Sequence, residues 1–232
     1  MVEPVNKKRY ERKFIAEGMD LYNIHTIIRY HPAGFRPIYH PRYINNIYFD
    51  TPGYNFYYDN HHGTSERKKV RIRWYSNQLK DVKNPYLEFK QKNGLVGSKK
   101  VYPLSSFSLN KNIDIRMIMR QIEKDKLPEE IRNQLSRLEP KITNRYRRQY
   151  FLSADKKFRL TVDSSVSYYA VTGRRSVLRP CYNYNRTIIL ELKYDVEDDL
   201  TAGEITRHLP FRIDKNSKYV NGIDCFNYMG AV

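Results

Sequence analysis

The stretch Lys69-Val-Arg-Ile-Arg-Trp74 decides the fold class, because charged and apolar residues alternate strictly along it. Successive side chains of a β-strand point to opposite faces, so its three cations share one face and Val70, Ile72 and Trp74 share the other. A single strand of this kind is typical of a sheet with one face in water. The interpretation therefore depends on whether other segments repeat the pattern.

Four further segments repeat it, each with charged residues on one face. They are Arg9–Phe14, Leu87–Lys92, Phe158–Asp163 and Ile188–Asp195. An exposed antiparallel face usually mixes in Ser, Thr and Gln, whereas these faces carry strong charges of both signs. The recurrence favours a closed barrel whose charged faces line a hydrated interior and whose apolar faces are covered by helices. Such a lining needs carboxylates, water or a bound polyanion to compensate its cations.

The remaining patterns predict an α+β domain built on an antiparallel sheet. Strands are predicted at Arg9–Ile15, Tyr43–Asp50, Lys68–Tyr75, Tyr86–Lys92, Lys99–Pro103, Arg145–Leu152, Phe158–Asp163 and Thr187–Tyr194. Helices are predicted around Leu21–Ile28, Ile115–Ile122, Ile131–Leu138, Ala202–His208 and Lys215–Tyr228, the last of them capped by Asp214. His61 and His62 are placed in a turn. No internal repeat or linker-like stretch divides the chain, so a single domain over residues 1–232 is expected.

The charge balance points to an anionic partner. The 232 residues include 42 Lys and Arg against 25 Asp and Glu, a formal net charge of +17. A field of this sign attracts nucleic acid, acidic membrane or polyphosphate. No apolar run reaches the roughly 20 residues of a membrane span, and the polar first residues carry no secretion signal, so a cytoplasmic protein is expected. Two distant cysteines, Cys181 and Cys225, exclude a disulfide scaffold and a cysteine-based zinc site.

Seven short motifs, taken in order, resemble the triphosphate tunnel metalloenzyme (CYTH-like) superfamily, and more closely its vacuolar transporter chaperone (VTC) polyphosphate polymerase branch. They begin at Asn46 (NIYFDTP), Val70 (VRIRWY), Leu87 (LEFK), Tyr146 (YRRQYF), Phe158 (FRLTVD), Leu190 (LELKY) and Lys215 (KNSK). The resemblance covers the chain from Arg9 to Gly222. It implies a closed eight-stranded antiparallel β-barrel, the triphosphate tunnel, with helices packed outside and a C-terminal helix at its mouth.

The resemblance also implies which cations bind phosphate inside this tunnel. They are Lys13, Arg71, Arg73, Lys90, Arg148 and Arg159. Lys99 or Lys100 adds one more, with the alignment ambiguous by one residue. The resemblance gives Arg71, Arg73, Lys90, Arg148, Arg159 and Glu191 as the expected catalytic set.

Glu191 is expected to hold a Mn²⁺ or Mg²⁺ ion that bridges phosphate oxygens. Lys193 follows on the same face of its strand and joins the substrate-binding set. Lys215 and Lys218, three residues apart on a predicted helix, match a pair that guards the tunnel mouth.

One departure from the superfamily bears on the reaction. Triphosphatase members open with Glu-x-Glu-x-Lys, whereas the corresponding residues here are Arg9-Tyr-Glu-Arg-Lys13. Replacing a carboxylate by a cation weakens metal-assisted hydrolysis and strengthens anion binding. This favours the polymerase branch.

The expected function is therefore that of a metal-dependent phosphotransferase resembling polyphosphate polymerases, which transfers the terminal phosphate of ATP to a growing chain. The alternatives are a triphosphatase or nucleotide hydrolase of the same fold, and a non-catalytic polyphosphate-binding module. Expected partners are ATP or another nucleoside triphosphate, inorganic polyphosphate or tripolyphosphate, and a membrane partner protein. Nucleic acid is the least favoured of these partners, because a narrow lumen has no room for the base stacking that single-strand binders use.

Overall fold

The computed structural model describes residues 9–94, 96–109, 112–113, 115–171, 176–177, 179–181 and 187–227. Over these residues the protein is α+β, with a large antiparallel sheet and six α-helices. The helices are α1 (Leu21–Arg29), α2 (Asn55–His62), α3 (Ile115–Glu123), α4 (Glu129–Leu135), α5 (Asp199–Arg207) and α6 (Lys218–Asn227). None of these helices is long and apolar enough to cross a membrane.

Fourteen strands accompany the helices in the described residues. They are β1 (Arg9–Ala16), β2 (Arg36–Asp50), β3 (Glu66–Tyr75), β4 (Asp81–Val82), β5 (Tyr86–Asn93), β6 (Val96–Pro103), β7 (Phe107–Ser108), β8 (Asn112–Ile113), β9 (Glu139–Leu152), β10 (Arg159–Ala170), β11 (Ser176–Val177), β12 (Arg179–Cys181), β13 (Ile188–Asp195) and β14 (Arg212–Ile213). All eight predicted strands are found, with shifted ends.

The main sheet contains ten strands. Its order is β14, β1, β13, β10, β9, β2, β3, β5, β6, and β12 pairs with β10 beside this path. Within the described residues the pairing ends at β14 on one side and at β6 on the other, so the sheet is not closed. The predicted closed eight-stranded barrel is therefore not confirmed, whereas the α+β class and the antiparallel sheet are.

The chain forms two compact units. Of the described residues, unit 1 contains those within 1–42, 146–166 and 184–216, and unit 2 contains those within 43–145, 167–183 and 217–232. The single domain expected from the sequence stays a prediction.

Unit 1 buries the apolar faces of its strands under α1 and α5. The core includes Phe14, Leu160, Val162, Leu190 and Leu192 of the strands, Ile24 and Ile28 of α1, and Ala202 and Ile205 of α5. Helix α1 begins after Asp20, whose side chain accepts a hydrogen bond of 2.8 Å from the backbone N–H of Asn23 and so caps the helix. The apolar face predicted for these strands thus faces a helical layer.

Unit 2 is built in the same way with α3 and α4. Its core includes Val70, Ile72 and Trp74 of β3, Leu87 of β5, Ile118 and Ile122 of α3, and Ile131 and Leu135 of α4. Val70, Ile72 and Trp74, the apolar residues of the alternating stretch, are at most 2% exposed. Their burial confirms the face assignment made from alternation.

Helix α2 was not predicted. His61 and His62 are the last two residues of this helix, so the turn predicted for them is wrong. Its sequence lacks an apolar stripe, and its start is held by tertiary contacts. The buried carboxylate of Asp50 accepts the backbone N–H groups of Phe56 and Tyr57 at 2.9 and 2.8 Å. These bonds satisfy amides that a helix start leaves without partners.

The C-terminal helix also begins later than predicted. Helix α6 starts at Lys218, because Ser217 rather than Asp214 occupies the cap position and its Oγ lies 3.4 Å from the backbone N of Val220. Lys215 precedes the helix, so Lys215 and Lys218 do not share a helical face. The predicted last residue, Tyr228, lies outside the described residues.

Candidate functional site: two charged clusters

The charged face of unit 2 carries five cations around one carboxylate. We name this group the Arg71 cluster: Lys69, Arg71 and Arg73 of β3, Glu88 and Lys90 of β5, and Lys99 of β6. The strand register sets Lys69 opposite Lys90 and Lys90 opposite Lys99. Like charges directly opposite one another destabilise a sheet. A row of three lysines is therefore an arrangement that an anionic ligand would stabilise.

Glu88 holds the arginines of this cluster in place. Its Oε2 lies 2.7 Å from Nε and 2.6 Å from Nη2 of Arg71, and its Oε1 lies 2.8 Å from Nζ of Lys99 and 3.9 Å from Nη1 of Arg73. Burial alone would raise the pKa of Glu88, but Arg71, Arg73 and Lys99 more than offset it and lower the pKa to about 2. The carboxylate is ionised at neutral pH and leaves the cluster with an excess of positive charge.

Two neutral side chains of β2 orient the arginines further. Nη1 of Arg71 lies 3.2 Å from the hydroxyl of Tyr48, and Nε of Arg73 donates to Oδ1 of Asn46 at 3.0 Å. The amide of Asn46 in turn donates to Oδ1 of Asn144 at 2.8 Å. Sequence reasoning missed these residues, although Asn46 and Tyr48 alternate with buried Ile47 and could have signalled a polar face.

The charged face of unit 1 carries a second group of alternating charges. We name it the Glu191 cluster: Glu11 and Lys13 of β1, Glu191 and Lys193 of β13, Arg148 of β9 and Asp163 of β10. The register pairs Lys13 with Glu191 and Glu11 with Lys193. Nζ of Lys13 lies 2.8 Å from Glu11, and Nζ of Lys193 lies 2.5 Å from Glu191 and 3.4 Å from Glu11.

Both glutamates of this cluster are held ionised. Burial would raise the pKa of Glu191, but Lys193, Arg148 and Lys13 lower it well below its ordinary value. Burial and the neighbouring Glu191 would raise the pKa of Glu11, and Lys13 and Lys193 reverse this to a net lowering. Two adjacent carboxylates thus remain charged because two lysines stand between them.

This pair of carboxylates fits a divalent metal ion. Carboxylate oxygens are the ligands that Mg²⁺ and Mn²⁺ prefer, and Mg²⁺ is usually bound by one or two carboxylates together with substrate phosphates. The described residues contain no group of three or more His, Cys, Asp or Glu that could hold a metal by itself. Glu11 was absent from the predicted metal ligands, although it shares a strand face with Lys13.

The other predicted site residues are placed as follows. Lys99 lies on the charged face, whereas Lys100 pairs with Phe89 on the opposite face and its Nζ is 3.9 Å from Glu130. Of these two lysines, Lys99 is thus the one that shares a face with the Arg71 cluster, and its role in binding phosphate stays a prediction. Arg159 is exposed and pairs with Lys193 in unit 1. Lys215 is exposed in unit 1, and Lys218 begins α6 in unit 2.

Comparisons with known proteins agree with the fold. A family model described as the VTC domain matches residues 8–227. Among solved structures, a candidate adenylate cyclase from Vibrio parahaemolyticus is similar at 9% identity, with a TM-score of 0.52 over 94% of this chain and 99% of that one. A candidate adenylyl cyclase from Hippeastrum, described as having dominant triphosphatase activity, gives 12% identity and a TM-score of 0.50 over 96% and 97%.

A protein from Pyrococcus horikoshii is similar to the same extent, with 12% identity and a TM-score of 0.50 over 93% of this chain and 99% of that one. No curated protein sequence matches significantly. At such low identities the solved structures establish the fold alone.

Proposed function

The chain belongs to the VTC domain family, and from that premise we propose that it is a metal-dependent phosphotransferase that lengthens polyphosphate. The donor is ATP or another nucleoside triphosphate, and the acceptor is inorganic phosphate or the end of a polyphosphate chain. The observation that carries the proposal is the row formed by Lys69, Lys90 and Lys99. Like charges opposite one another destabilise a sheet, and a chain of phosphates lying along the row would neutralise them.

In this proposal the chain's own residues bind and orient phosphate. Arg71 and Arg73 donate to phosphate oxygens from positions fixed by Glu88, and Lys90, Lys99, Arg148, Arg159 and Lys193 neutralise further phosphates. A terminal oxygen of the acceptor forms a bond to the γ-phosphorus while the bond to the ADP oxygen breaks, and ADP leaves. Phosphoryl transfer depends mainly on positioning and electrostatics, so no nucleophilic side chain is required.

A divalent metal belongs to this proposal. Glu191 and Glu11 would hold Mn²⁺ or Mg²⁺, which neutralises charge on the transferring phosphoryl group when bound. Lys13 and Lys193 keep both carboxylates ionised. In this proposal the two lysines would move away from the carboxylates when the metal binds. A closed eight-stranded tunnel around the phosphates, with Lys215 and Lys218 contacting the product chain, is likewise proposed.

The proposal is tested by incubating the purified protein with ATP and Mn²⁺ and separating the products by chain length. We expect chains longer than three phosphates together with ADP. Arg71→Ala should abolish their formation, because this guanidinium is fixed at the centre of the Arg71 cluster. Lys68→Ala is the matched control, since Lys68 neighbours this cluster in β3 but points to the opposite face. Equal activity of both variants would overturn the site assignment.

The second candidate function is a triphosphatase, and the proximity of Glu11 and Glu191 favours it because two carboxylates suit metal-assisted hydrolysis. The Hippeastrum protein described as a triphosphatase shares the fold. The same assay separates the two candidates. Release of orthophosphate from ATP without chain products would establish hydrolysis.

The cytoplasmic location and the membrane partner stay predictions from the sequence. Cys225 is disulfide-bonded in the structure, and disulfides are uncommon in cytosolic proteins. This bond therefore weighs against the cytoplasmic prediction. One bridge does not make a disulfide scaffold, so the exclusion drawn from the cysteine count is unaffected.

A further inference from the structure

A charged cavity lies in unit 1 at the ends of its strands. It encloses about 220 Å³. Its charged lining consists of Arg9, Lys156, Lys157, Arg159 and Lys193 with the carboxylates of Asp195 and Asp198. Five cations thus face two carboxylates around a space that the Glu191 cluster does not account for.

Strand register makes this cavity continuous with the Glu191 cluster. Lys193 contacts Glu11 and Glu191 in the cluster and also lines the cavity. One step further along the same strand faces, Arg9 pairs with Asp195. Same-face residues of a strand are about 7 Å apart, so the charged surface extends one further row beyond Lys193.

Both carboxylates of the cavity already have a cation. Arg9 Nε lies 3.3 Å from Oδ1 of Asp195, and Lys157 Nζ lies 2.9 Å from Oδ1 of Asp198. Lys193 is paired with Glu191 and Glu11, so Lys156 and Arg159 contribute the positive charge in excess of the local carboxylates. The cavity as a whole is suited to an anion.

The position of Lys156 is fixed by the turn between β9 and β10. Its φ of 62° is left-handed, and its backbone N–H donates to the carbonyl of Ser153 at 3.0 Å. The backbone N–H of Phe158 closes the turn by donating to Oγ of Ser153 at 3.0 Å. The turn therefore presents Lys156 at the cavity without a large loss of backbone freedom when a ligand binds.

We propose that this cavity binds a further phosphate group of a linear polyphosphate whose preceding phosphates occupy the Glu191 cluster. The inference rests on the proposed function and deepens it, because it assigns the protein a preference for chains longer than tripolyphosphate. Arg9 is then a binding residue for the extended chain, which gives a role to the cation that replaces the first glutamate of the triphosphatase motif.

Calorimetric titration of the full chain tests the proposal, with orthophosphate, tripolyphosphate and a defined longer polyphosphate as probes in metal-free buffer. The double variant Arg9→Gln/Lys156→Gln removes two cavity cations that lie outside both clusters. We expect its affinity for the longer chain to fall about tenfold and its affinity for tripolyphosphate to change less than twofold.

The matched control is Arg207→Gln/Lys124→Gln. It removes an arginine in an exposed ion pair with Glu204 and an exposed lysine, and should change neither affinity more than twofold. Equal losses for both chains, or no loss for either, would overturn the inference. Loss of orthophosphate binding comparable to that of the longer chain would also overturn it, since the cavity would then bind free phosphate.

Failure of the proposed function gives a different result. In that case the unmodified protein binds neither tripolyphosphate nor the longer chain, or Arg71→Ala leaves both affinities unchanged. Tight binding of both chains that Arg71→Ala weakens, with an unaffected Arg9→Gln/Lys156→Gln variant, would reject the cavity alone.

Discussion

Arg148 and Asp163 form a two-point ion pair in unit 1. Nε of Arg148 lies 2.5 Å from Oδ1 and Nη2 lies 2.7 Å from Oδ2 of Asp163, and the side chains are 12% and 1% exposed. Burial alone would lower the pKa of Arg148, but the Asp163 carboxylate raises it well above the ordinary value. Arg148 is thus a permanently charged group that Asp163 holds through two hydrogen bonds.

The variant Asp163→Asn should destabilise the protein by about 3–5 kcal/mol, because it leaves the buried guanidinium of Arg148 without its counter-charge. Urea unfolding measures the change in free energy. Glu204→Gln is the control, since it removes an exposed pair with Arg207 and should cost less than about 1 kcal/mol. Similar losses in the two variants would show that the Arg148 pair is not buried in solution.

Glu88→Gln should lower the free energy of unfolding at pH 7 by roughly 3 kcal/mol, since the Arg71 cluster lowers the pKa of Glu88 to about 2. Because the pKa of Glu88 is lower in the folded than in the unfolded state, its ionised carboxylate stabilises the folded protein at a pH above the unfolded-state pKa. This stabilisation is lost as the pH falls through the folded-state pKa. The difference between the unmodified protein and the variant should therefore shrink between pH 4.5 and pH 2. Urea titrations across this range measure it, and a constant difference would contradict the assignment.

The same variant should bind tripolyphosphate more tightly at pH 7. Removing the Glu88 charge leaves Arg71, Arg73 and Lys99 without a competing carboxylate, so the phosphates meet a more positive cluster. Calorimetric titration measures the affinity. An unchanged or weaker affinity would contradict this prediction. It would show that Glu88 favours binding by positioning Arg71 more than its negative charge opposes binding.

Glu191→Gln should abolish stabilisation by Mn²⁺ in the presence of tripolyphosphate. A ligand at about 100 times its Kd stabilises by about 2.7 kcal/mol, which raises the Tm of a protein of this size by roughly 5–10 °C. Glu11→Gln should reduce the rise, because Glu11 supplies the adjacent carboxylate, and Glu204→Gln should retain it. A full rise in the Glu191 variant would place the metal elsewhere.

Two helical glycines should respond oppositely to alanine. A Cβ at Gly222 of α6 would press on Cδ1 of Ile142 and lie 2.8 Å from Cδ1 of Tyr168, so Gly222→Ala should cost about 1–3 kcal/mol. A Cβ at Gly203 of α5 would meet no atom of the described residues within 4 Å beyond its chain neighbours and the backbone of its own helix, so Gly203→Ala should stabilise by about 0.5–1 kcal/mol. Thermal unfolding of both variants checks the difference, and a neutral Gly222 variant would contradict the close approach.

Most of the strands could be predicted because alternation is a local signal. The apolar residues Val70, Ile72 and Trp74 are buried as the period of two requires. Helix α2 could not be predicted in this way, because its amides are satisfied by Asp50 from a neighbouring element rather than by its own sequence. The start of α6 was misjudged since both Asp214 and Ser217 are acceptable caps, and only packing selects one.

The cations of the candidate site could be predicted from the sequence, but the carboxylates that pair with them could not. The family resemblance pointed to Arg71, Arg148 and Glu191, whereas the roles of Asp163 and Glu11 depend on which side chains strand register brings together. Lys99 and Lys100 are the same residue type, so the sequence could not distinguish them. In the sheet Lys99 pairs with Lys90 on the charged face, whereas Lys100 pairs with Phe89 on the opposite face.

Side-chain direction along a strand follows from backbone geometry, so the alternation of residue types was enough to assign the apolar and the charged faces. Which cations carboxylates neutralise, and which remain in excess, became known from the folded structure. Electrostatic pairing depends on distances of a few ångströms between residues far apart in the chain, and those distances exist only after the strands have paired.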